Sequence, residues 1–186
     1  LNEQEIRPAN ARQAIDAGLS LVPEDRKGMG LVLIQSILKN ISLPNLDQFS
    51  GFFRIDADAE LKASMAQSKS LTIKAPTLQV AVETLSGGNQ QKVVISKWLL
   101  SKPVVLIMDD PTRGVDVGAK YEIYKLMNDL AENGVAIIMI SSDLEEVLGM
   151  SDRVMVMCSG HSTTTLPVAE ATVERVMSLA TGMSSS

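Results

Sequence analysis

The sequence predicts an α/β fold, on three observations. After residue 86, segments of helical and strand period alternate regularly, which implies βαβ units and a parallel sheet. Val104-Val105-Leu106-Ile107-Met108 is a short, continuous apolar run rich in β-branched residues, the pattern of a parallel strand buried on both faces. That run stops at Asp109-Asp110, and the carboxyl end of a parallel strand is where α/β folds place ligands.

Each element follows from local signals. Asn10 to Ala17 reads as a short helix stopped by Gly18, and Leu19 to Val22 as a strand. From Lys27 to Thr84 the pattern changes: Pro44, Gly51 and Pro76 punctuate segments that look helical, notably Asp56 to Ser70. Beyond Ser86 come a helix over 87–100, a strand over 104–109, a helix over 117–132 ended by Asn133-Gly134, and a strand over 135–140. A helix over 143–149, a strand over 153–158 and a last helix over 168–180 follow, with a disordered tail expected at 184–186. Leu31, Val32, Leu33, Ile34, Phe49, Phe52 and Phe53 are expected to form core or, where exposed, a docking face.

Composition narrows the function classes. A length of 186 residues allows one domain, with room for a small insertion. A formal net charge of −5 and no basic stripe argue against nucleic-acid binding. Apolar stretches are too short to span a bilayer and no signal peptide opens the chain, so a soluble intracellular protein is expected. Cys158 is the one cysteine, which excludes an intrachain disulfide, and it reads as a small core residue. His161, the one histidine, follows Ser159-Gly160 and is expected in a surface turn rather than as a ligand.

The chemistry concentrates between residues 85 and 116. Leu85-Ser86-Gly87-Gly88-Asn89-Gln90 opens a helical segment with Ser86 as its N-cap. Unpaired N–H groups and the positive end of the helix dipole face the same way there, and glycine lets a phosphate approach the backbone. An ordinary capped helix is the plain alternative, as two solvated carboxylates in a turn are for Asp-Asp-Pro. The acidic strand end behind this helix start favours phosphate binding, with Asp109 on Mg²⁺ and Asp110 orienting the attacking water. Gln91 and Lys92 are expected to face solvent on the first helical turns, and Asp116 to cap the helix over 117–132.

Leu85–Gln90, the strand ending in Asp109-Asp110, and Arg113-Gly114-Val115-Asp116 resemble the signature, Walker B and D-loop series of ATP-binding-cassette ATPases. With Pro23-Glu24-Asp25-Arg26-Lys27 and Thr112–Lys120, they resemble the second nucleotide-binding half of monosaccharide importers of the ribose, galactose and xylose type. The resemblance implies a partial P-loop NTPase core with a mostly parallel sheet and a helical subdomain: core at 1–27 and 85–183, and a helical subdomain at 28–84 that leans on the permease. It implies ATP and Mg²⁺ as cofactors, with Leu85, Ser86, Gly87, Gly88, Asn89 and Gln90 closing over ATP held by the other half of the same polypeptide. Arg113, Gly114, Val115 and Asp116 would lie between the halves. Implied partners are that other half, membrane permease subunits and, indirectly, an extracellular or periplasmic sugar-binding protein, which places the parent on the cytoplasmic face of the membrane. A cassette working on DNA or the ribosome is a distant alternative.

Departures from the family pattern matter as much. No Gly-x-x-x-x-Gly-Lys-Ser/Thr phosphate cradle occurs in the chain, so the molecule reads as part of a cassette, inactive alone, whose exposed sheet edge would favour dimers. Glu24 falls where the Q-loop glutamine is expected, Asp110 where the catalytic glutamate is expected, and Ser142 where the switch histidine is expected. A serine lacks the charge and reach of imidazole. A carboxylate set back by about an ångström is poorly placed to hold water at ~3 Å. The site on this half is therefore expected to be slow, and the alternative function is a structural module that donates its signature to the other cassette.

Overall fold

The computed structural model describes residues 1, 5–51 and 54–182. The expectations for Phe52, Phe53 and the 184–186 tail lie outside them. The chain divides into two compact units, Leu1–Ile138 and Met139–Ser186, and each is described by itself.

The first unit is built on a sheet of order β1 (Leu19–Val22), β2 (Val105–Asp109) and β3 (Ala136–Ile140), the last strand crossing into the second unit. β1 and β2 run parallel, with Leu19 opposite Val105 and Val22 opposite Met108. Alternation sets which face is covered: Val22, Leu106 and Met108 are fully buried, whereas Leu21 on the other face is exposed. The strand enters through Gly18, whose φ of +88° only glycine adopts without strain. α1 (Ala11–Asp16) precedes it, capped by Asn10, whose side chain accepts from Gln13 N.

Helix α4 (Gly87–Leu99) is the centre of this unit. Val93, Val94 and Ile95 are fully buried, and α2 (Ile37–Ser42), α3 (Ala57–Ser70) and α5 (Val117–Glu132) pack against it. Because neighbours surround α4, its polar residues are buried too, contrary to the expectation that Gln91 and Lys92 face solvent. Gln91 is 2% and Lys92 5% exposed. The Lys92 ammonium is satisfied by Glu122 on α5 at 2.7 Å and by the Thr72 carbonyl at 3.3 Å. Lys97 donates to the Gly30 carbonyl at 2.9 Å, and burial pushes its ammonium below the ordinary lysine range. Between α2 and α3, buried Glu60 accepts from Lys39 and from Ser42 at 2.6 Å, closing a polar clasp. Leu31 and Phe49 belong to the core, while Val32 and Ile34 are exposed.

The second unit holds α6 (Leu144–Met150), the hairpin of β4 (Arg153–Cys158) with β5 (His161–Pro167), and α7 (Val173–Ala180). Val154, Val156, Leu166, Ala171 and Val176 form its core. Here the structure corrects the sequence reading: β4 does not extend the parallel sheet but pairs antiparallel with a strand that was not expected. Ser159 and Gly160, with φ of +50° and +82°, make the two-residue turn that sends the chain back. His161 is exposed, as expected, but it opens β5 instead of lying in the turn. Cys158 is half-buried at the end of β4. α7 starts at Val173 rather than 168, because Val168–Glu170 forms a 3₁₀ turn and Thr172 caps the helix by accepting from Arg175 N. No helix among the described residues is long and apolar enough to cross a membrane.

Candidate active site

Parallel pairing of β1 with β2 brings two loops out at one edge of the sheet: Pro23–Arg26 after β1, and Asp110–Asp116 after β2. Asp109 is the last residue of β2 and half-buried. Asp110 turns the chain at a φ of +39°, a left-handed conformation that a short polar side chain tolerates better than most. Arg113 N then donates to the Asp110 carbonyl at 3.0 Å, while Pro111 and Thr112 are buried beneath the loop. Gly114 turns it again at a φ of +64°, and the Asp116 carboxylate accepts from Ala119 N at 2.9 Å, the expected cap of α5.

The loop after β1 is fastened to this one. Asp25 accepts from Lys27 N at 3.1 Å and Gly28 N at 3.0 Å, rounding the chain into the turn over Arg26–Gly30. The Glu24 carboxylate pairs with the Arg113 guanidinium. Arg26 donates through Nη1 to the Arg113 carbonyl at 2.6 Å and through Nη2 to the Gly114 carbonyl at 2.9 Å. Glu24, Asp25, Arg26, Lys27, Arg113 and Gly114 line a cavity of about 410 Å³ between the two loops.

The start of α4 meets the same place. Ser86 caps it as expected, its hydroxyl accepting from Asn89 N at 3.4 Å and from the Asn89 side-chain amide at 3.0 Å. Both glycines also have reasons inside the chain. A β-carbon on Gly87 would lie 2.9 Å from Arg26 Nη2 and 3.0 Å from the Gly114 carbonyl, and one on Gly88 would meet the Ala119 side chain at 2.5 Å. Leu85 is half-buried. Asn89 accepts from Lys74 N at 2.8 Å, and Gln90 is 5% exposed with its amide nitrogen on the Val82 carbonyl at 3.3 Å. Gln90 is thus turned into this chain, where the sequence reading had it reaching a nucleotide.

Ser142 belongs to the second unit, exposed in the turn before α6. Around it, Asp143 caps α6 by accepting from Glu145 N at 3.2 Å and Glu146 N at 3.4 Å, and the Ser141 hydroxyl donates to buried Glu146. The structure therefore gathers Glu24, Arg113, Gly114 and Gly87, with Asp109 and Asp110 leading into the same loop. Arg26, the residue that links them, was visible in the sequence only as one letter of a motif.

The half-buried carboxylate of Asp109 at the strand end has the chemistry Mg²⁺ takes, one or two carboxylates with the octahedron completed by water and phosphate oxygens. Among the described residues no group of three or more His, Cys, Asp or Glu forms a metal cage. For the phosphates of ATP these residues supply a glycine-rich helix start without the lysine-bearing loop that would hold them.

The profile described as ABC transporter matches residues 1–113, more than half of the sequence. The chain belongs to the ABC transporter family. It is 50% identical to the xylose import ATP-binding protein XylG of Thermoanaerobacter pseudethanolicus over 98% of this chain and 36% of that protein. It is 53% identical to the ribose import ATP-binding protein RbsA of Bacillus subtilis over 93% of this chain and 35% of that protein. The chain thus spans about a third of the length of the curated relatives it matches. In fold, this ABC transporter chain is similar to the ATP-binding cassette MJ0796 in its post-hydrolysis state with ADP and Pi. The TM-score is 0.71 at 19% identity, covering 90% of this chain and 69% of that one.

Proposed function

We propose that this chain is the signature- and Walker B-bearing part of the second nucleotide-binding half of a monosaccharide importer, coupling ATP binding and hydrolysis to sugar uptake. One observation supports it above the rest: about half of its residues are identical, over nearly the whole chain, to those of xylose and ribose import ATP-binding proteins. The gathered helix start, acidic strand end and loop over Arg113–Asp116 give that reading a chemistry. Mg²⁺ held at Asp109 would neutralise phosphate charge, Asp110 would hold the attacking water, and Ser86 to Asn89 would close over ATP held by the other half. In the parent, that ATP would be held by the phosphate cradle of the other half. Residues 28–84 form the helical subdomain against the permease, and the parent works at the cytoplasmic face of the membrane.

The decisive experiment measures ATP-driven uptake by the parent transporter in proteoliposomes, with Ser86→Arg crowding the start of α4. Uptake of a pentose or hexose by the wild type, abolished in the variant, is expected. A wild-type parent that neither hydrolyses ATP nor supports uptake would contradict the proposal.

The short acid at Asp110 and the serine at Ser142 favour a second reading, in which this half donates its signature but turns over no ATP of its own. Asp110→Asn in the parent separates the two. Loss of all turnover sinks the module reading, and retained turnover assigns hydrolysis to the other half.

A further inference from the structure

We propose that Arg26 is a positioning residue that fastens the Arg113–Asp116 loop to the segment leaving β1, at the place where the start of α4 comes closest. The guanidinium spans two successive carbonyls of that loop, at 2.6 Å from Arg113 and 2.9 Å from Gly114. A planar fork with two N–H groups at fixed spacing can do this, whereas a lysine ammonium is a single point. The same Nη2 stands 2.9 Å from where a β-carbon of Gly87 would be, and the Gly114 carbonyl 3.0 Å from it. Glycine at position 87 therefore makes room for the link, and the three segments meet at one side chain.

Two features mark the link as more than packing. Arg26 lines the cavity of about 410 Å³ between the two loops and bridges beside it by hydrogen bonds to backbone carbonyls. Meanwhile Arg26 Nε is buried with no hydrogen-bond partner among the described residues, a cost that an apolar side chain would not incur. Glu24, paired with Arg113, adds a second tie between the same two loops. Displacement of the Pro23–Arg26 segment would thereby displace the loop after the acidic strand end. The consequence for turnover rests on the ATPase reading of the parent; the tie itself does not.

Peptide-resolved hydrogen–deuterium exchange on the 186-residue chain tests the tie, with Arg26→Met and Arg26→Lys beside the wild type. Removing two charge-assisted hydrogen bonds is expected to speed exchange of the 113–116 amides about tenfold in Arg26→Met and less in Arg26→Lys, with the α4 and β2 cores unchanged. Unchanged exchange at 113–116 in both variants, or an equal rise throughout the chain, overturns the proposal. Should Arg26→Met not fold, Arg26→Lys alone makes the comparison. In the intact parent, Arg26→Lys is expected to lower kcat about tenfold while KM for ATP stays within about twofold, as for an interaction felt in the transition state. A wild-type kcat, or kcat and KM changing together, overturns the role in turnover. A wild-type parent without ATPase activity would refute the ATPase reading instead, and the exchange result would still decide the tie.

Discussion

Lys92 and Glu122 show how one side chain can reverse the reading of a helix face. Glycines and polar residues at 87–92 look like an exposed first turn, yet α4 is enclosed and Lys92 pairs with Glu122 across to α5. The Lys92 ammonium holds the Glu122 carboxyl below the usual carboxylate range. A folded pKa below the unfolded one gives stability that is present above the unfolded value and lost as pH falls through the folded one. Glu122→Gln is therefore expected to cost about 1 kcal/mol at pH 7, since Glu122 stays partly exposed. The difference from wild type should shrink below about pH 4.3, the ordinary glutamate value, in urea titrations across that range. An equal loss at pH 3 and pH 7 would mean that the pair is not the cause. Gln90 teaches the same lesson: its burial on Val82 depends on a neighbour far away in character from any local motif.

Between elements, glycine tolerance separates close contact from open space. Gly88 lies where α4 crosses α5, and a methyl group there would meet the Ala119 side chain at 2.5 Å. Gly88→Ala is expected to destabilise the chain by about 1–3 kcal/mol through overpacking, despite alanine's better helix propensity. Gly149, inside α6, has nothing within 4 Å of its would-be β-carbon. Gly149→Ala is expected to stabilise by roughly 0.5–1 kcal/mol. Chemical denaturation of both variants checks the pair, and a loss of stability at Gly149 would contradict the open space assigned to it. The elements themselves were largely legible. Apolar runs located β1, β2 and β3, and the caps at Ser86 and Asp116 fixed two helix starts. What was not legible was pairing: nothing local distinguishes Arg153–Cys158 as half of a hairpin from another parallel strand. Its partner, His161–Pro167, is mostly exposed and polar.

For the whole molecule, the chain has the acidic strand end and the glycine-rich helix start of an ABC cassette, but no glycine loop ending in lysine and a hydroxyl residue. The helix start at Ser86, the strand ending in Asp109 and the cap at Asp116 were readable from sequence because each is a run of neighbouring residues. The tie through Arg26 was not, since it joins residues 87 and 88 positions apart in the chain. The central claim is that these motifs act on ATP only together with a phosphate cradle from elsewhere in the parent. Calorimetric titration of the 186-residue chain with Mg-ATP, alongside Asp109→Ala, tests it most directly. The account predicts no detectable heat in either protein. Saturable binding by the wild type that disappears in Asp109→Ala would contradict it, because the motifs present would then hold nucleotide without the cradle.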